Sequence, residues 1–394
     1  MDQTPVTERT DKFIDLPCRL ILTNSGQLLF QKSGTPLKRV TNKEGVTSEG
    51  LESPRFNAAT VQKLVLNSFL EEIYATLPAL LTRRYHIIST NNLIMYGILY
   101  KKLSPSLATT MFATNVVKDF NRKNPKHSIV DLKHIHPGSV EALLGKNQAL
   151  FQRIENEITE AVIENIEMNA ALNDEDRQAM LMSVAKFISW IDRRIWYIFF
   201  IIYQTNQKEV MKRTFVTMVA RYLEHTRLAT HLSNLIMEFI QNAEKAHFER
   251  IIVKNGLCPR DDVDRWLREK ANRDLVMQMA EREGQMLDLA WNMNPERMSV
   301  GKQYRIQVSI SNYGLIDDTM RDKLNRKLKT NTDGLNISDF YQSSEDPDKL
   351  GAGLGLLYNS YLEEICKKEG IHYKCSIFPE PRKEKTSVII EISL

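Results

Sequence analysis

Apolar side chains recur at three- and four-residue steps through the middle of the chain, and this spacing constrains the fold more than any other feature. The first such face comprises Phe151, Ile154, Ile158, Val162 and Ile166. A second pattern runs from about Asp176 past Tyr203 and resumes toward Leu223. This periodicity is typical of helices that bury one side. We therefore predict an antiparallel pair of long helices, which could form either a monomeric core or a homodimer interface within residues 150–225.

The most apolar run of the chain does not predict a membrane protein. Ile195 to Tyr203 spans nine residues, far fewer than the roughly 20 that a membrane-spanning helix needs. The N-terminus is polar and lacks an apolar signal core. Four scattered cysteines form no CxxC pair, which favours a reducing compartment. We expect a cytoplasmic protein with no transmembrane segment, in which this run lies in a core or a dimer interface.

Charge composition argues against nucleic acid as a partner. The 394 residues carry 53 basic and 49 acidic side chains, for a net charge of +4. A nucleic-acid-binding domain usually has a clear basic excess on one face. This balance gives no support for nucleic acid or an anionic membrane as the main partner, and we expect no nucleic-acid partner.

The N-terminal part predicts a small β-rich element followed by helices. Two apolar segments flank Asn24-Ser25-Gly26, which predicts a hairpin turn there. Residues 41–55 are polar and glycine-bearing, as in a linker, and from Ala58 to Ile73 the spacing becomes helical. We predict a β-rich segment with a linker over 1–55 and a helical regulatory or dimerisation region over 56–225.

The C-terminal part, residues 226–394, changes to alternating helices and strands. The predicted elements are a helix over 228–248, a strand over 250–253, a charged helical stretch over 261–291, a strand over 304–311, a helix over 354–368 and strands over 372–378 and 387–394. This order predicts an α/β sandwich, with a mixed sheet covered by helices on one face. The whole chain is then an α+β protein.

One candidate site lies on the first helix of this part. Glu238 and Asn242 are four residues apart, so a helix places them on one face, and Lys245 follows near it. An amide oxygen can ligate Mg²⁺, a carboxylate can deprotonate a water or hydroxyl, and an amine can neutralise phosphate. A solvated helix face is the alternative interpretation of this motif.

Two glycine-bearing segments follow. The strand over 304–311 leads into Asn312-Tyr313-Gly314, where a polar side chain and a glycine can meet a flat base. Gly351, Gly353 and Gly355 alternate ahead of the 354–368 helix, and backbone amides without β-carbons can approach phosphate oxygens there. A flexible capping loop is the alternative for the glycines.

Taken in order, the three segments resemble the GHKL superfamily of ATPases, which includes gyrase and sensor histidine kinases. Glu238 to Ala246 is similar to the N-box, E-x-x-x-N-A-x-x-A. Asn312-Tyr313-Gly314 lies where the G1 box, D-x-G-x-G, is expected, and Gly351 to Leu356 matches the G2 box, G-x-G-x-G-L. The resemblance covers roughly residues 226–394.

This resemblance implies a histidine-kinase-like (Bergerat) fold with an ATP site. It implies that Asn242 holds Mg²⁺, that Asn312 faces the adenine amino group and that Gly314 passes close to the base. The phosphates would be wrapped by Gly351, Gly353, Gly355 and Leu356. Residues 316–349 would form a mobile ATP lid.

The chain departs from the superfamily pattern in two places. Asn312 replaces the acid of the G1 box, which keeps a hydrogen-bond acceptor but removes its charge. Residues 254–300 form an unusually long charged connection that includes Trp266 and Trp291. We interpret this connection as a helical insertion that could serve as a partner surface.

The reaction is less constrained than the ligand. By the resemblance, Glu238 could activate water for hydrolysis or a hydroxyl for phosphotransfer. His225 and His231 lie near the N-box, in a setting unsuited to a phosphoacceptor. We expect a signalling protein with a protein partner that transfers the γ-phosphate or hydrolyses ATP slowly. The alternative is a non-catalytic, nucleotide-gated interaction module.

A cluster of histidines offers a second site hypothesis. His127, Asp131, His134 and His136 lie within ten residues, at spacings that could bind a transition metal. Neighbouring prolines and Gly138 predict an irregular loop, and a polar surface loop is the favoured interpretation.

Overall fold

The computed structural model describes residues 13–168, 174–203, 208–293, 304–316, 318–319, 321–322, 325 and 354–394. The chain divides into two units. Unit 1 combines residues 1–97 with 228–394, and unit 2 comprises residues 98–227. The described residues form a protein of helices and antiparallel sheet, which confirms the α+β class.

All described strands belong to unit 1. They are β1 (Phe13–Ile14), β2 (Cys18–Leu22), β3 (Lys38–Thr41), β4 (Thr47–Ser53), β5 (Phe56–Asn57), β6 (Leu70–Leu77), β7 (Leu287–Asn292), β8 (Arg305–Tyr313), β9 (His372–Glu380) and β10 (Lys385–Ser393). Eight form one sheet in the order β3-β4-β2-β6-β7-β8-β10-β9, and β1 pairs with β5. Every described strand pair is antiparallel, so the prediction of a mixed sheet was wrong.

The helices are distributed over both units. They are α1 (Asn24–Lys32), α2 (Ala58–Leu66), α3 (Arg84–Phe112), α4 (Asn115–Lys123), α5 (Pro137–Lys146), α6 (Gln148–Glu167), α7 (Asp174–Trp190), α8 (Arg193–Tyr203), α9 (Lys208–Lys254), α10 (Val263–Trp266), α11 (Lys270–Arg282) and α12 (Leu354–Lys368). Helix α12 has the bounds that the sequence predicted.

The central strands of the sheet separate apolar from polar side chains. Successive residues of a strand point to opposite faces. On β7 and β8 the buried apolar set is Leu287, Leu289, Trp291, Ile306, Val308 and Ile310. The intervening residues of the same strands include Asp288, Ser309 and Ser311, which are also buried. The opposite face of the sheet is therefore polar yet protected from water.

Helix α9 runs 47 residues and contains the predicted N-box. The prediction of a strand over 250–253 was wrong. Ile251 and Ile252 are fully buried within α9, where they pack in a cluster with Val263 of α10 and Val276 of α11. Their β-branched side chains suit either secondary structure, and burial against these helices favours the helix.

The predicted hairpin at residues 24–26 was also wrong, because a helix begins there. The hydroxyl of Thr23 accepts a hydrogen bond from the amide of Gly26 at 3.2 Å, which caps the N-terminus of α1. A β-carbon on Gly26 would lie 2.2 Å from the carbonyl oxygen of Phe69, so the close packing of this turn requires glycine.

The N-terminal strands extend the C-terminal sheet instead of forming a separate segment. The predicted linker over 41–55 contains β4, which pairs with β2 and β3. Residues 70–77, expected to continue a helix, form β6, which pairs with β2 on one side and β7 on the other. The predicted division at residue 55 therefore does not separate structural units.

The predicted helical insertion over 254–300 was correct only in part. It contains α10 and α11, but it also contains β7, a central strand of the sheet. Trp291 lies on β7 and is fully buried, so it does not belong to a partner surface.

Unit 2 contains the predicted long helices. The apolar face of α6 buries Ile154, Ile158, Val162 and Ile166, as its periodicity predicted. The apolar run of α8 packs inside the same unit, where Trp196 and Phe199 lie against Phe215 with ring centroids 6.0 and 6.5 Å apart. The run therefore contributes to a core. The homodimer remains a prediction.

Candidate functional site

The N-box-like residues lie on α9 at positions that share part of its surface. Asn242 is exposed and lies one turn before Ala246, which lines a cavity of unit 1. Residues four apart in a helix point to the same side. Asn242 therefore lies on the same side of α9 as Ala246, although neither Asn242 nor Glu238 nor Lys245 is among the residues that line this cavity.

Glu238 lies a further turn before Asn242 and is partly shielded from solvent. Its Oε2 is buried without a hydrogen-bond partner. Burial raises the pKa of Glu238, and the charge of Arg84 opposes that rise. A carboxyl group with an unsatisfied buried oxygen is costly in a purely structural role, but it is suited to accept a proton from a bound group.

Lys245 has an exposed partner in the connection that follows α9. Its Nζ lies 2.8 Å from Oδ2 of Asp264 on α10. Both side chains are exposed, and such ion pairs contribute about 0–1 kcal/mol. The amine is therefore available to another anion at little cost.

The Asn312–Gly314 turn ends strand β8 and is tightly held. Gly314 has a φ of +112°, and a β-carbon there would lie 3.3 Å from Cδ of Arg250. The amide of Gly314 donates to the carbonyl of Glu384 at 2.9 Å. The side-chain amide of Asn312 donates to the carbonyl of Tyr313 at 3.1 Å, which leaves its Oδ1 as an acceptor.

The C-terminal part of α9 and the Asn312–Gly314 turn are far apart in sequence but line one cavity of about 500 Å³. Its lining residues are Ala246, Glu249, Arg250, Val253, Lys254, Arg260, Asn312, Tyr313, Gly314, Leu315 and Ile316. Val253 and Leu315 are about half exposed and supply apolar surface. Arg250, Lys254 and Arg260 bring positive charge, but Lys254 is paired with Glu283 at 2.7 Å and Arg260 with Glu249, an acid of the lining, at 2.7 Å. The cavity can accept a flat apolar group that carries anionic substituents.

The G2-like segment is described only in part. Gly351 and Gly353 lie outside the described residues, as does most of the predicted lid. Gly355 and Leu356 lie in the first turn of α12. The structure thus brings Ala246, at the end of the N-box-like segment, to the same cavity as the Asn312–Gly314 turn, whereas the roles of Glu238, Asn242, Lys245 and the G2 glycines remain predictions.

Two side chains next to the Asn312–Gly314 turn, Arg250 and Lys385, belong to none of the predicted motifs. Arg250 donates to Oε1 of Gln285 at 2.7 Å, and its guanidinium lies 6.0 Å from the ring centroid of Tyr313. Lys385 places its Nζ 4.5 Å from the same ring. Arg250 lies two turns after Asn242, so extension of the helical spacing could have indicated it. Lys385 follows no motif.

His247 is buried on α9 with its ring 6.3 Å from the ring of Tyr313. Burial lowers the pKa of His247 to about 4, and the nearby charges of Arg250 and Lys385 contribute to this shift. The imidazole is therefore neutral at physiological pH and packs as a part of the cavity's supporting core.

The other histidines have structural contacts. His225 and His231 lie on α9 itself; Nδ1 of His225 is 2.7 Å from the carbonyl of Arg221, and the ring of His231 lies 5.2 Å from that of Tyr361. Nδ1 of His86 accepts a hydrogen bond of 3.2 Å from the amide of Asp15.

In the histidine-rich segment at 127–136, polar side chains cap the N-termini of the helical turns that follow them. Asp131 accepts hydrogen bonds from the amides of Lys133 and His134, and Nδ1 of His136 accepts one from the amide of Gly138 at the start of α5. Within the described residues no group of three or more His, Cys, Asp or Glu is arranged to hold a metal ion. The segment behaves as a polar loop in the part that is described.

None of the helices in the described ranges combines the length and the apolar character needed to traverse a lipid bilayer.

Comparison with known proteins places the chain in a family. The model of the family of unknown function DUF8084 matches residues 9–394. The chain is also similar to a protein of Treponema pallidum (strain Nichols), described as "Uncharacterized protein", with 23% identity over 379 residues, or 96% of this chain and 97% of the other. No solved structure matches the chain. Neither match names a ligand or a reaction. Because the family model spans nearly the whole sequence, the chain belongs to the DUF8084 family.

Proposed function

We propose that unit 1 binds ATP together with Mg²⁺, in a pocket of the Bergerat type, and that the protein acts in signalling. One observation carries the proposal: Ala246 of the N-box-like helix and the Asn312–Gly314 turn line the same cavity. Ala246 ends the N-box-like segment, so the proposal requires Asn242 and Glu238, one and two turns earlier on α9, to reach a ligand that extends beyond this lining.

The chemistry of the lining fits a purine nucleotide. Oδ1 of Asn312 can accept a hydrogen bond from an exocyclic amino group, because the Nδ2 of the same side chain is engaged with Tyr313. Gly314 lacks the side chain that would obstruct a base. Arg250, Lys254 and Arg260 would meet the anionic part of the ligand, the last two by exchanging their ion pairs with Glu283 and Glu249.

The residues of α9 fit a magnesium-bound triphosphate. Asn242 offers an exposed oxygen ligand of the kind that Mg²⁺ prefers, with phosphate and water completing the shell. Mg²⁺ would supply neutralisation of the phosphate charge. Lys245 would also neutralise phosphate charge, by exchanging its exposed ion pair with Asp264 for one with the phosphate. Gly351, Gly353 and Gly355 would contact the phosphates through backbone amides.

Glu238 is the proposed general base. Its raised pKa and its unpartnered oxygen suit the removal of a proton from water or from a protein hydroxyl. The reaction is then slow hydrolysis of ATP or transfer of the γ-phosphate to a protein partner.

A non-catalytic, nucleotide-gated module is the second candidate. It is favoured by the location of His225 and His231 on the same helix as the N-box, because a phosphoacceptor must approach from another element. Incubation with γ-labelled ATP separates the two: released phosphate or labelled protein indicates an enzyme, and intact bound ATP indicates a switch.

A thermal-shift measurement tests nucleotide binding. A ligand that binds only the folded state stabilises it by about 2.7 kcal/mol at 100 times its Kd. We expect ATP with Mg²⁺ to raise the melting temperature of the full chain and Asn242→Ala to abolish that rise. Gln241→Ala, at the exposed neighbouring position on α9, is the matched control and should retain it. No shift of the wild-type protein at millimolar ATP would refute the proposal.

A further inference from the structure

The two edges of the eight-stranded sheet meet at one end. β3 and β9 are the edge strands, and seven strand spacings would place them about 33 Å apart in a flat sheet. Yet Lys43, in the turn after β3, has its Nζ 3.8 Å from Oε1 of Glu380 at the end of β9. The sheet must therefore curl strongly over its polar face.

The turn between β3 and β4, residues 42–46, forms a strap across this end of the sheet. The amide of Lys43 donates to Oε1 of Glu72 on β6 at 2.9 Å. The carbonyl of Lys43 accepts from Nζ of Lys383 at 3.4 Å, and that ammonium lies 2.9 Å from Oε2 of Glu380. The strap thus contacts both a central strand and the opposite edge.

These contacts differ from ordinary surface ion pairs. The side chains of Lys43 and Glu380 are only 13% and 18% exposed. Glu380 also accepts a hydrogen bond from the hydroxyl of Ser387 and pairs with Lys383, so Lys43 adds one contact to a carboxylate that the β9–β10 hairpin already holds. Attraction between charges that water screens poorly is stronger than in an exposed pair. The strap is therefore fastened to the β9–β10 turn, residues 381–384.

The β9–β10 turn in turn holds the cavity wall. Glu384 has a φ of +52°, in the left-handed region, and its carbonyl accepts from the amide of Gly314 at 2.9 Å. Lys385 bonds Asp288 and lies 4.5 Å from the ring centroid of Tyr313. The hydroxyl of Thr386 donates to the carbonyl of Gly314 and accepts a hydrogen bond from the amide of Ile316.

We infer that the strap is a conformational device: it fixes the β9–β10 turn and thereby sets the position of the Asn312–Gly314 turn that lines the cavity. The N-terminal strands then control a cavity wall that is formed far along the sequence. This inference concerns the mobility of the wall, so it does not depend on which ligand the cavity binds.

Hydrogen–deuterium exchange of the full chain tests it through the amides of Gly314 and Ile316, which are hydrogen-bonded to residues 384 and 386. Lys43→Met removes the charge and keeps the length of the side chain. We expect these two amides to exchange about tenfold faster in this variant, which corresponds to a loss of about 1.4 kcal/mol of local stability. Amides of β7 serve as the internal reference and should exchange as in the wild type.

Arg305→Met is the matched control, because it breaks the Arg305–Glu391 pair at the other end of β8. It should leave Gly314 and Ile316 unchanged. If Lys43→Met does not yield folded protein, Glu380→Gln decides in its place. Unchanged exchange at Gly314 and Ile316, or equal acceleration throughout β7, would overturn the inference, since the latter shows only a loss of global stability.

Discussion

The hydroxyl of Thr386 donates a hydrogen bond of 2.6 Å to the carbonyl of Gly314, and it accepts one of 3.2 Å from the amide of Ile316. Thr386 is buried on β10. A single side chain thus satisfies two backbone groups of the turn that lines the cavity. The geometry of this wall depends on a neighbouring strand as well as on the turn's own sequence.

Replacement of this hydroxyl should loosen the turn. Thr386→Val keeps the shape of the side chain but leaves one carbonyl and one amide without their partner. We expect the free energy of unfolding to fall by about 1–3 kcal/mol, as for other unsatisfied buried polar groups. Chemical denaturation measures this change. Thr109→Val is the control, since that exposed hydroxyl bonds only its own helix at Pro105; an equal loss in both variants would argue against a special role for Thr386.

Gly314 should tolerate a β-carbon less well than another glycine with a positive φ angle, Gly284. Gly314→Ala forces a φ of +112° on alanine and a 3.3 Å contact with Arg250. Gly284 has a φ of +63° and open space around it. We expect Gly284→Ala to cost about 1 kcal/mol and Gly314→Ala about 2–3 kcal/mol. Equal costs measured by denaturation would contradict the tight packing described for the turn.

The sequence predicted best those elements whose local pattern agrees with their tertiary partners. The buried face of α6 and the bounds of α12 follow from helical spacing alone. β6 was missed because Leu70 and Ile73 continue the apolar steps of α2, while Ser68, with a φ of +57°, ends the helix and redirects the chain. The pairing of β6 with β7 joins residues more than two hundred positions apart, which no local pattern specifies.

The candidate site was predictable to the extent that it consists of motifs. Asn242 and Asn312 belong to recognisable segments, of which Ala246 and Asn312 line the cavity while Asn242 does not. Lys385 and Thr386 carry no motif, because their role arises from the register of β10 against β8, in which they oppose Tyr313 and Asn312. Side chains that support a turn across a sheet become visible only when the strand order is known.

His247 should make stability depend on pH in a defined window. Its pKa is 6.5 in the unfolded chain and about 4 in the folded protein. The unfolded state therefore binds more protons between these values, and stability is lost as the pH falls from 6.5 toward 4. The loss contributed by this residue is about 3 kcal/mol.

The measurement compares the free energy of unfolding at pH 7 and pH 4.5. His247→Phe removes the titrating group, so its stability should change less over this interval than that of the wild type. If His247→Phe retains the full wild-type loss, the proton uptake belongs to another group.

Glu238→Gln separates the stability of α9 from its proposed chemistry. The raised pKa of Glu238 means that its ionised form is disfavoured in the folded protein, so this residue lowers stability as the pH rises above the unfolded value of 4.5. The neutral amide removes that penalty. We expect the variant to be at least as stable as the wild type at pH 7, by thermal denaturation, while any phosphate release from ATP falls by about 10²-fold or more, as for loss of a general base. Turnover that survives intact in a variant of undiminished stability would exclude Glu238 as the base. A fall in stability at pH 7 would show that the attraction between the Glu238 carboxylate and Arg84 outweighs the cost of burying the charge.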